Sequence, residues 1–537
     1  MSDAVLSVRG LTISLPAGLD RQYAVKDISF DLNRGEILCI IGESGSGKSV
    51  TASTVMGLLS PAMQVSAGSI RFQDHDLLTL PEESRRALRG GKIAMIFQDP
   101  LSALNPLMTV GAQIDETLFA HGMRDPAQRA ARVLELIREV GLPEPELLRH
   151  QYPFRLSGGQ RQRIMIAIAL ALDPDLLIAD EPTTALDVTT QAQILDLIRR
   201  IQRDKGMSIM FITHDFGVVA DIADRVIVME KGALVEQGPA EKVLHQPDHP
   251  YTQRLIAAVP RLRQTDAETG ADAPVLLRVE GLNKTYKGKG GIFRRARSTH
   301  AVRDVGFALQ RDKTLGVVGE SGSGKSSMGK VLMRLADADA GRILFDGKDV
   351  LAMSEAEFHP YRRRIQMIFQ DPYASLNPRQ TIGRSLVVGP IAHGQNATDA
   401  QAKARAILAQ VGLDPSAYDR YPHEFSGGQR QRVGIARALM CDPELIIADE
   451  AVSALDVSIQ AQILELLAQV QQERHLAMVF ITHDLRVASQ ICDEVIVMHH
   501  GRVVEAGPPA RIFRAPQEDY TQRLVAAIPG MSREDAA

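Results

Sequence analysis

Gly42-Glu43-Ser44-Gly45-Ser46-Gly47-Lys48-Ser49 and Gly319-Glu320-Ser321-Gly322-Ser323-Gly324-Lys325-Ser326 are the same eight residues written twice. Glycines at the first, fourth and sixth positions let the backbone bend until successive N–H groups face a common point, while lysine adds a cation and serine a hydroxyl. That set suits the oxygens of a phosphate chain. Lys48 and Lys325 would reach the β and γ phosphates and Ser49 and Ser326 would ligate Mg²⁺; the loops formed by Gly42, Ser44, Gly45 and Gly47, and by Gly319, Ser321, Gly322 and Gly324, would cradle the rest. A chance match to GxxxxGK[ST] in a chain this long is on the order of a few per cent from average composition. Two matches in matching contexts are not chance.

Leu176-Leu177-Ile178-Ala179-Asp180-Glu181 and Leu445-Ile446-Ile447-Ala448-Asp449-Glu450 are apolar runs ending in two acids. A buried strand whose C-terminal tip emerges at a ligand site looks like this. Asp180 and Asp449 would hold the metal, directly or through water. Glu181 and Glu450 are placed to polarise an attacking water, a role usually worth about 10² to 10⁴ in rate. The plainer alternative is acids capping a following helix. Ser157-Gly158-Gly159-Gln160 and Ser426-Gly427-Gly428-Gln429 each open a helical stretch, expected over 161–172 and 430–440. They read as a second anion site or, taken alone, as a plain N-cap.

The elements that must position these residues follow from periodicity. Residues 37–41, 176–179, 209–212 and 226–229 read as buried strands and 191–202 as an amphipathic helix between two of them, which predicts an α/β fold with a largely parallel sheet. Between Gln98 and Leu156 the pattern turns helical, as over 127–140, suggesting an inserted helical subdomain. The whole arrangement recurs: Ala24-Val25 matches Ala301-Val302, and Tyr251-Thr252-Gln253-Arg254-Leu255 matches Tyr520-Thr521-Gln522-Arg523-Leu524. So long a period indicates two fused domains, not a solenoid. The boundaries expected are 1–262 and 275–537, joined by a linker at 263–274 without hydrophobic periodicity. The second half carries an insertion, Lys287 to Ser298, with Lys289, Arg294, Arg295 and Arg297, which reads as a solvated loop or a contact with lipid headgroups or a partner.

Composition narrows the classes. The 537 residues are 45% hydrophobic, enough for ordinary cores, and the formal charge of −4 offers no excess for neutralising a nucleic-acid backbone, so no nucleic-acid partner is expected. Cys39, Cys441 and Cys492 lie far apart, which fits buried thiols in a reducing compartment. Met1 to Gly10 contains Asp3 and Arg9 and no long apolar stretch, so no secretory signal is expected. The most apolar run, residues 164–172, is about half the roughly 18 residues that cross a bilayer.

Taken together, the phosphate loops, Gln98 and Gln370 within Phe-Gln-Asp-Pro, the Ser-Gly-Gly-Gln segments, the Asp-Glu strands, Asp187 and Asp456 within Ala-Leu-Asp, and His214 and His483 within Thr-His-Asp resemble the ATP-binding cassette (ABC) ATPases. Every element occurs in both halves, and the match spans nearly the whole chain. The resemblance implies intramolecular pairing of the two cassettes head to tail. ATP at Lys325 would then be faced by Ser157 and Gly159, and ATP at Lys48 by Ser426 and Gly428. It further implies that His214 and His483 contact the γ phosphate, that Asp187 and Asp456 link the two sites, and that Gln98 and Gln370 sense Mg²⁺ while contacting a transport partner. Tyr23 is the adenine-stacking residue expected in the first half; its aligned partner is His300, with Tyr286 nearby, and that assignment stays open. Ala451 stands where Pro182 follows the first Asp-Glu, and Phe425 replaces Leu156.

His249-Pro250-Tyr251-Thr252, and Leu-Asn-Pro downstream of Phe-Gln-Asp-Pro in both halves (within Ser102 to Pro106 and Ser375 to Pro378), resemble cassettes of oligopeptide, dipeptide and nickel importers. The cysteine cluster some of these carry is absent, so no iron–sulfur centre is implied. The resemblance implies an ATPase on the cytoplasmic face of the cell membrane, peripheral, docked on two transmembrane permease subunits and working with an extracytoplasmic substrate-binding protein. The transported compound stays open among peptides, glutathione, nickel and peptide antibiotics. The alternative is a soluble twin-cassette ATPase acting on ribosomes or nucleic acid, against which stand the short mixed linker and the missing zinc cysteines.

Overall fold

Ile37–Ile41, Leu176–Asp180 and Ser208–Ile212 are strands of five residues in which every side chain is buried. Strands apolar on both faces belong inside a sheet covered on each side, and their parallel pairing needs long crossovers, which the intervening helices supply. The computed structural model describes residues 4–18, 21–184, 186–260, 262, 274–287, 298–371, 375–453 and 455–530. The chain divides into two compact units, Met1–Leu186 with Thr190–Val259 and Asp187–Thr189 with Pro260–Ala537. The expected linker stretch 263–273 and the insertion residues Lys289, Arg294, Arg295 and Arg297 lie outside the described residues.

In the first unit a six-stranded sheet runs Ala233–Pro239, Arg225–Glu230, Ile37–Ile41, Ser208–Ile212, Leu176–Asp180, Ile93–Ile96. All neighbours are parallel except the outermost Ala233–Pro239, which turns back antiparallel on Arg225–Glu230. The second unit repeats the order with Arg502–Gly507, Glu494–His499, Thr314–Val318, Ala477–Ile481, Leu445–Asp449 and Ile365–Ile368. Each unit also has a wholly antiparallel four-stranded sheet: Tyr23–Asn33, Ala4–Ser14, Gln64–Phe72 and His75–Asp76 in the first, Ser298–Gln310, Val275–Lys287, Ala340–Phe345 and Lys348–Asp349 in the second.

The helix that leaves each phosphate loop is clamped against both sheets. Ala52 and Val55 of Lys48–Val55 share one core with Leu6, Val8, Ile28 and Phe72 of the antiparallel sheet and Leu38, Ile40, Ile178 and Met210 of the parallel one. Met328 and Val331 of Lys325–Leu332 do the same in the second unit with Val279, Phe345, Leu315 and Ile447. Each of the larger side chains, Val55, Met328 and Val331 among them, contributes about 1.5–3 kcal/mol on burial, so the loop's two ends are fixed by the bulk of the core.

The helical subdomain follows the strand Ile93–Ile96. Helices Val110–Ala120 and Pro126–Glu139 are started by the side chains of Thr109 and Asp125, which accept from the backbone of Ala112 and Ala127. Ile382–Ala392 and Ala397–Gln410 are started in the same way by Thr381 and Asn396. None of the described helices is long and apolar enough to cross a membrane. All three cysteines are free and buried.

Candidate functional site

Each phosphate loop joins the C-terminal end of a central strand to a helix. Gly42 has φ 148°, and a Cβ there would stand 2.2 Å from the Met229 carbonyl oxygen; Gly47 has φ 103°, and a Cβ there would meet the Ala24 carbonyl at 2.7 Å. Gly319 and Gly324 repeat this against Met498 and Ala301, at 2.2 and 2.1 Å. Only glycine meets both the backbone angle and the close approach at Gly47 and Gly324. The helices Lys48–Val55 and Lys325–Leu332 start without a side-chain cap, and the N-terminal end of a helix favours an anion. The loop tips, Ser44-Gly45 and Ser321-Gly322, are exposed.

Lys48 and Lys325 are buried, at 5% and 4% exposure. Their ammonium groups donate to loop carbonyls: Lys48 Nζ to Gly42 O at 2.7 Å and Glu43 O at 2.9 Å, Lys325 Nζ to Gly319 O at 2.7 Å and Glu320 O at 2.8 Å. Burial pulls the Lys325 ammonium below its ordinary range.

The strand carboxylates meet the loops where the sequence places them. Ser49 Oγ donates to Asp180 Oδ1 at 2.9 Å and Ser326 Oγ to Asp449 Oδ1 at 2.9 Å. Burial pushes both aspartates up, against the serine hydrogen bonds. A hydroxyl and a carboxylate side by side are hard oxygen donors of the kind Mg²⁺ accepts together with waters and phosphate oxygens. Among the described residues no group of three or more His, Cys, Asp or Glu could hold a metal unaided.

Next to each aspartate the backbone enters the left-handed region, with φ 47° at Glu181 and 49° at Glu450. That conformation costs a non-glycine residue about 1–2 kcal/mol and is held by the N–H bonds Glu181 to Ile212 O and Glu450 to Ile481 O, both 2.9 Å. Around the Glu181 carboxylate stand Gln98 Nε2 at 2.8 Å, Thr184 Oγ1 at 3.0 Å and His214 Nδ1 at 3.4 Å. Glu450 has Gln370 Nε2 at 2.6 Å and His483 Nδ1 at 3.7 Å, while Ser453, aligned with Thr184, donates to the Glu450 carbonyl instead. Burial works to raise Glu181, but the hydrogen bond and charge of His214, with Thr184 and Lys48, outweigh it and leave the carboxyl at about 2. Against burial, the hydrogen bond and charge of His483, with the charge of Lys325, lower Glu450, and its carboxylate raises His483 despite that ring's burial. A carboxylate this acidic stays ionised and suits orienting and polarising water.

Each unit thus gathers its lysine, serine, aspartate, glutamate, histidine and glutamine at the C-terminal edge of the parallel sheet, where open α/β sheets bind ligands. Thr184 and the left-handed backbone at the glutamates escape the sequence reading; a hydroxyl three residues past each Asp-Glu was the available signal for the first, and the second has none. Ser157 and Ser426 close capping boxes with Gln160 and Gln429, and the helices open at Gly158 and Gly427. Asp187 accepts from Thr189 Oγ1 at 2.8 Å, and Asp456 precedes the helix Val457–Arg474 as its N-cap. Tyr23 begins its strand beside the loop: Arg21 donates to the Gly45 carbonyl, and Ala24 lies against Gly47. In the second unit His300 bonds Thr285 Oγ1 at 3.0 Å, and Tyr286 is 41% exposed on the neighbouring strand.

Comparison with known proteins agrees with this geometry. The family model described as ABC transporter matches residues 25–184 and 302–453, and the model for the C-terminal region of oligopeptide/dipeptide transporters matches residues 235–288 and 504–536. The chain is 48% identical to the peptidoglycan transport ATP-binding protein YejF of Agrobacterium fabrum, over 97% of this chain and 96% of that one. It is 47% identical to the glutathione import ATP-binding protein GsiA of Salmonella choleraesuis, over 98% and 89%. Among solved structures, the archaeal ribosome recycling factor aABCE1, in complex with the stalk protein aP1, shares the fold with a TM-score of 0.61 at 18% identity, over 97% of this chain and 92% of that one. With both cassettes matched and nearly its full length aligned to two ATP-binding transport proteins, this chain belongs to the ABC transporter family.

Proposed function

We propose that the chain is the ATP-hydrolysing subunit of a bacterial importer for peptides or related small compounds. The observation that carries this reading is the near-full-length identity to two transport ATP-binding proteins, one of them named for import, together with an oligopeptide/dipeptide-type C-terminal region behind each cassette. The chain works at the cytoplasmic face of the membrane, docked on two permease subunits that receive their cargo from an extracytoplasmic binding protein.

In each site the lysine, Lys48 or Lys325, leaves the loop carbonyls for the β and γ phosphates, and the loop and helix N–H groups bind the phosphate oxygens. Ser49 and Asp180, or Ser326 and Asp449, would hold Mg²⁺, directly or through water, and the ion would supply charge neutralisation at the phosphates. Glu181 and Glu450 polarise the attacking water, His214 and His483 contact the γ phosphate, and Gln98 and Gln370 release their glutamates as the site fills. Ser157 to Gln160 of one cassette and Ser426 to Gln429 of the other complete the site built on the opposite loop, and Asp187 and Asp456 link the two. ATP then favours the closed pair because only there are all phosphate donors satisfied, and hydrolysis reopens it.

The test is Glu181→Gln combined with Glu450→Gln. The double variant is expected to bind ATP, to lose turnover by about 10² or more, and to accumulate a closed form. Normal turnover in that variant would overturn the assignment, and copurification with ribosomes or RNA in place of membrane subunits would overturn the importer.

A further inference from the structure

The last helix of each cassette bears on that cassette's own phosphate loop. Tyr251, second residue of the helix Pro250–Ala257 and 4% exposed, accepts the Glu43 backbone N–H on its phenol oxygen at 3.2 Å. Tyr520, second residue of Asp519–Ala526 and 8% exposed, accepts the Glu320 N–H at 3.1 Å. The peptide between Gly42 and Glu43 is therefore held at both ends, its carbonyl by Lys48 at 2.7 Å and its N–H by Tyr251. The Gly319–Glu320 peptide is held in the same way by Lys325 and Tyr520.

The two holds differ in what happens next. A lysine that turns to phosphate gives up the carbonyl, whereas the tyrosine keeps the N–H and so keeps the strand-to-loop corner in place. The tyrosines are themselves braced on the sheet that carries the loop. Glu236, on Ala233–Pro239, accepts from the backbone of Asp248 at 2.8 Å and His249 at 3.1 Å, just ahead of the first helix. Glu505, on Arg502–Gly507, accepts from Gln517 at 3.0 Å and Glu518 at 3.3 Å ahead of the second.

Around the rings the two copies diverge. The Tyr520 ring stacks on His499 with centroids 3.8 Å apart and planes 17° apart. In the first cassette Glu230 ends the corresponding strand; its carboxylate lies 3.9 Å from Arg254, whose guanidinium is 6.0 Å from the Tyr251 ring. Packing of the ring alone would be served by phenylalanine. What the copies share is the hydroxyl on the loop peptide. Burial pushes the Tyr520 phenol up to about 12, so it stays neutral.

We propose that Tyr251 and Tyr520 are positioning residues of the two ATP sites, presetting the phosphate loops for nucleotide through the Glu43 and Glu320 N–H groups. This makes the C-terminal extension part of ATP binding, and it rests on the assignment of the two loops as the ATP sites.

The test is Tyr251→Phe, Tyr520→Phe and their combination in the full chain, with steady-state ATP hydrolysis and thermal unfolding measured side by side. Losing one hydrogen bond to a buried N–H in the ligand-binding loop is expected to raise the KM for ATP about fivefold to twentyfold in the double variant, with kcat per folded molecule within about twofold. Each single variant reports independently should the double variant fold poorly. A KM less than threefold above the parent's overturns the proposal, whatever happens to the melting temperature, because the hydroxyl would then serve only packing. Lys48→Ala with Lys325→Ala is run alongside. Turnover surviving in that variant would sink the site assignment, whereas its loss with an unchanged KM in the phenylalanine variants would sink the tyrosine role alone.

Discussion

Ser49 and Asp180, 131 residues apart in the chain, hold each other at 2.9 Å, and Ser326 and Asp449 repeat the contact at the same distance. In the proposed site this hydroxyl and carboxylate are the pair that would hold Mg²⁺, the aspartate directly or through water. Ser49→Ala with Ser326→Ala is expected to lower MgATP hydrolysis by about 10-fold to 100-fold and to raise the Mg²⁺ concentration for half-maximal rate, while EDTA abolishes hydrolysis in the parent. A magnesium titration of the rate checks this, and an unchanged midpoint would remove the serines from the metal site.

Gly324 leaves no room for a side chain. Its φ of 107° disfavours any L residue, and a Cβ would lie 2.1 Å from the Ala301 carbonyl, a backbone atom that cannot turn aside. Gly324→Ala should destabilise the second cassette by about 2–4 kcal/mol and remove nucleotide binding at its loop. Equilibrium binding of ATP would then show one site per chain in place of two.

The buried parallel strands are legible in the sequence because four or five consecutive apolar residues have no other place in a chain of ordinary charge. Ile37–Ile41 and Leu176–Asp180 stand within a residue of where periodicity puts them. Helix starts are read late. Gly158–Ala169 opens three residues before the expected Arg161, since the capping box of Ser157 and Gln160 supports a turn that apolar spacing does not reveal. The antiparallel sheet has no clean alternation to find, because register shifts break its pairing between Val8 and Leu11 and again beyond. The site is legible as residue types, while the contacts that tune it, such as Gln98 on Glu181 at 2.8 Å, join segments far apart in sequence and exist only once the sheet is assembled.

The left-handed backbone at Glu181 gives a comparison that isolates strain from chemistry. Both Glu181→Ala and Glu181→Gly abolish the carboxylate, so both should lose turnover equally. They differ in the backbone: glycine adopts φ 47° at little cost and alanine does not. The glycine variant should be more stable than the alanine variant by about 1 kcal/mol, read from denaturant midpoints of the first cassette. Equal stability, or a more stable alanine variant, would mean that the left-handed turn relaxes when the side chain is lost.

An acid-sensitive tie distinguishes the second cassette. Glu444 accepts Arg364 Nη2 at 2.9 Å and Arg311 Nη1 at 2.9 Å, and both guanidinium groups also reach Asp346, at 2.9 and 3.0 Å. The hydrogen bond from Arg364 is the main cause holding the Glu444 carboxyl below its ordinary range, against burial and helped by Arg311. Because the folded value lies below the unfolded one of about 4.3, the contribution is fully present above that pH and is lost as pH falls through the folded value. Glu444→Gln should therefore cost about 1 kcal/mol at pH 7.5, allowing for solvent screening of a partly exposed carboxylate, and less at pH 3. In the first cassette Asp175 occupies the corresponding strand entry, and among the described residues its ion pair is Lys92 alone, at 3.3 Å, so Asp175→Asn should cost less. Urea midpoints of the two cassettes at both pH values decide it, and a Glu444→Gln penalty that persists in full at pH 3 would show that shape, not charge, holds this corner.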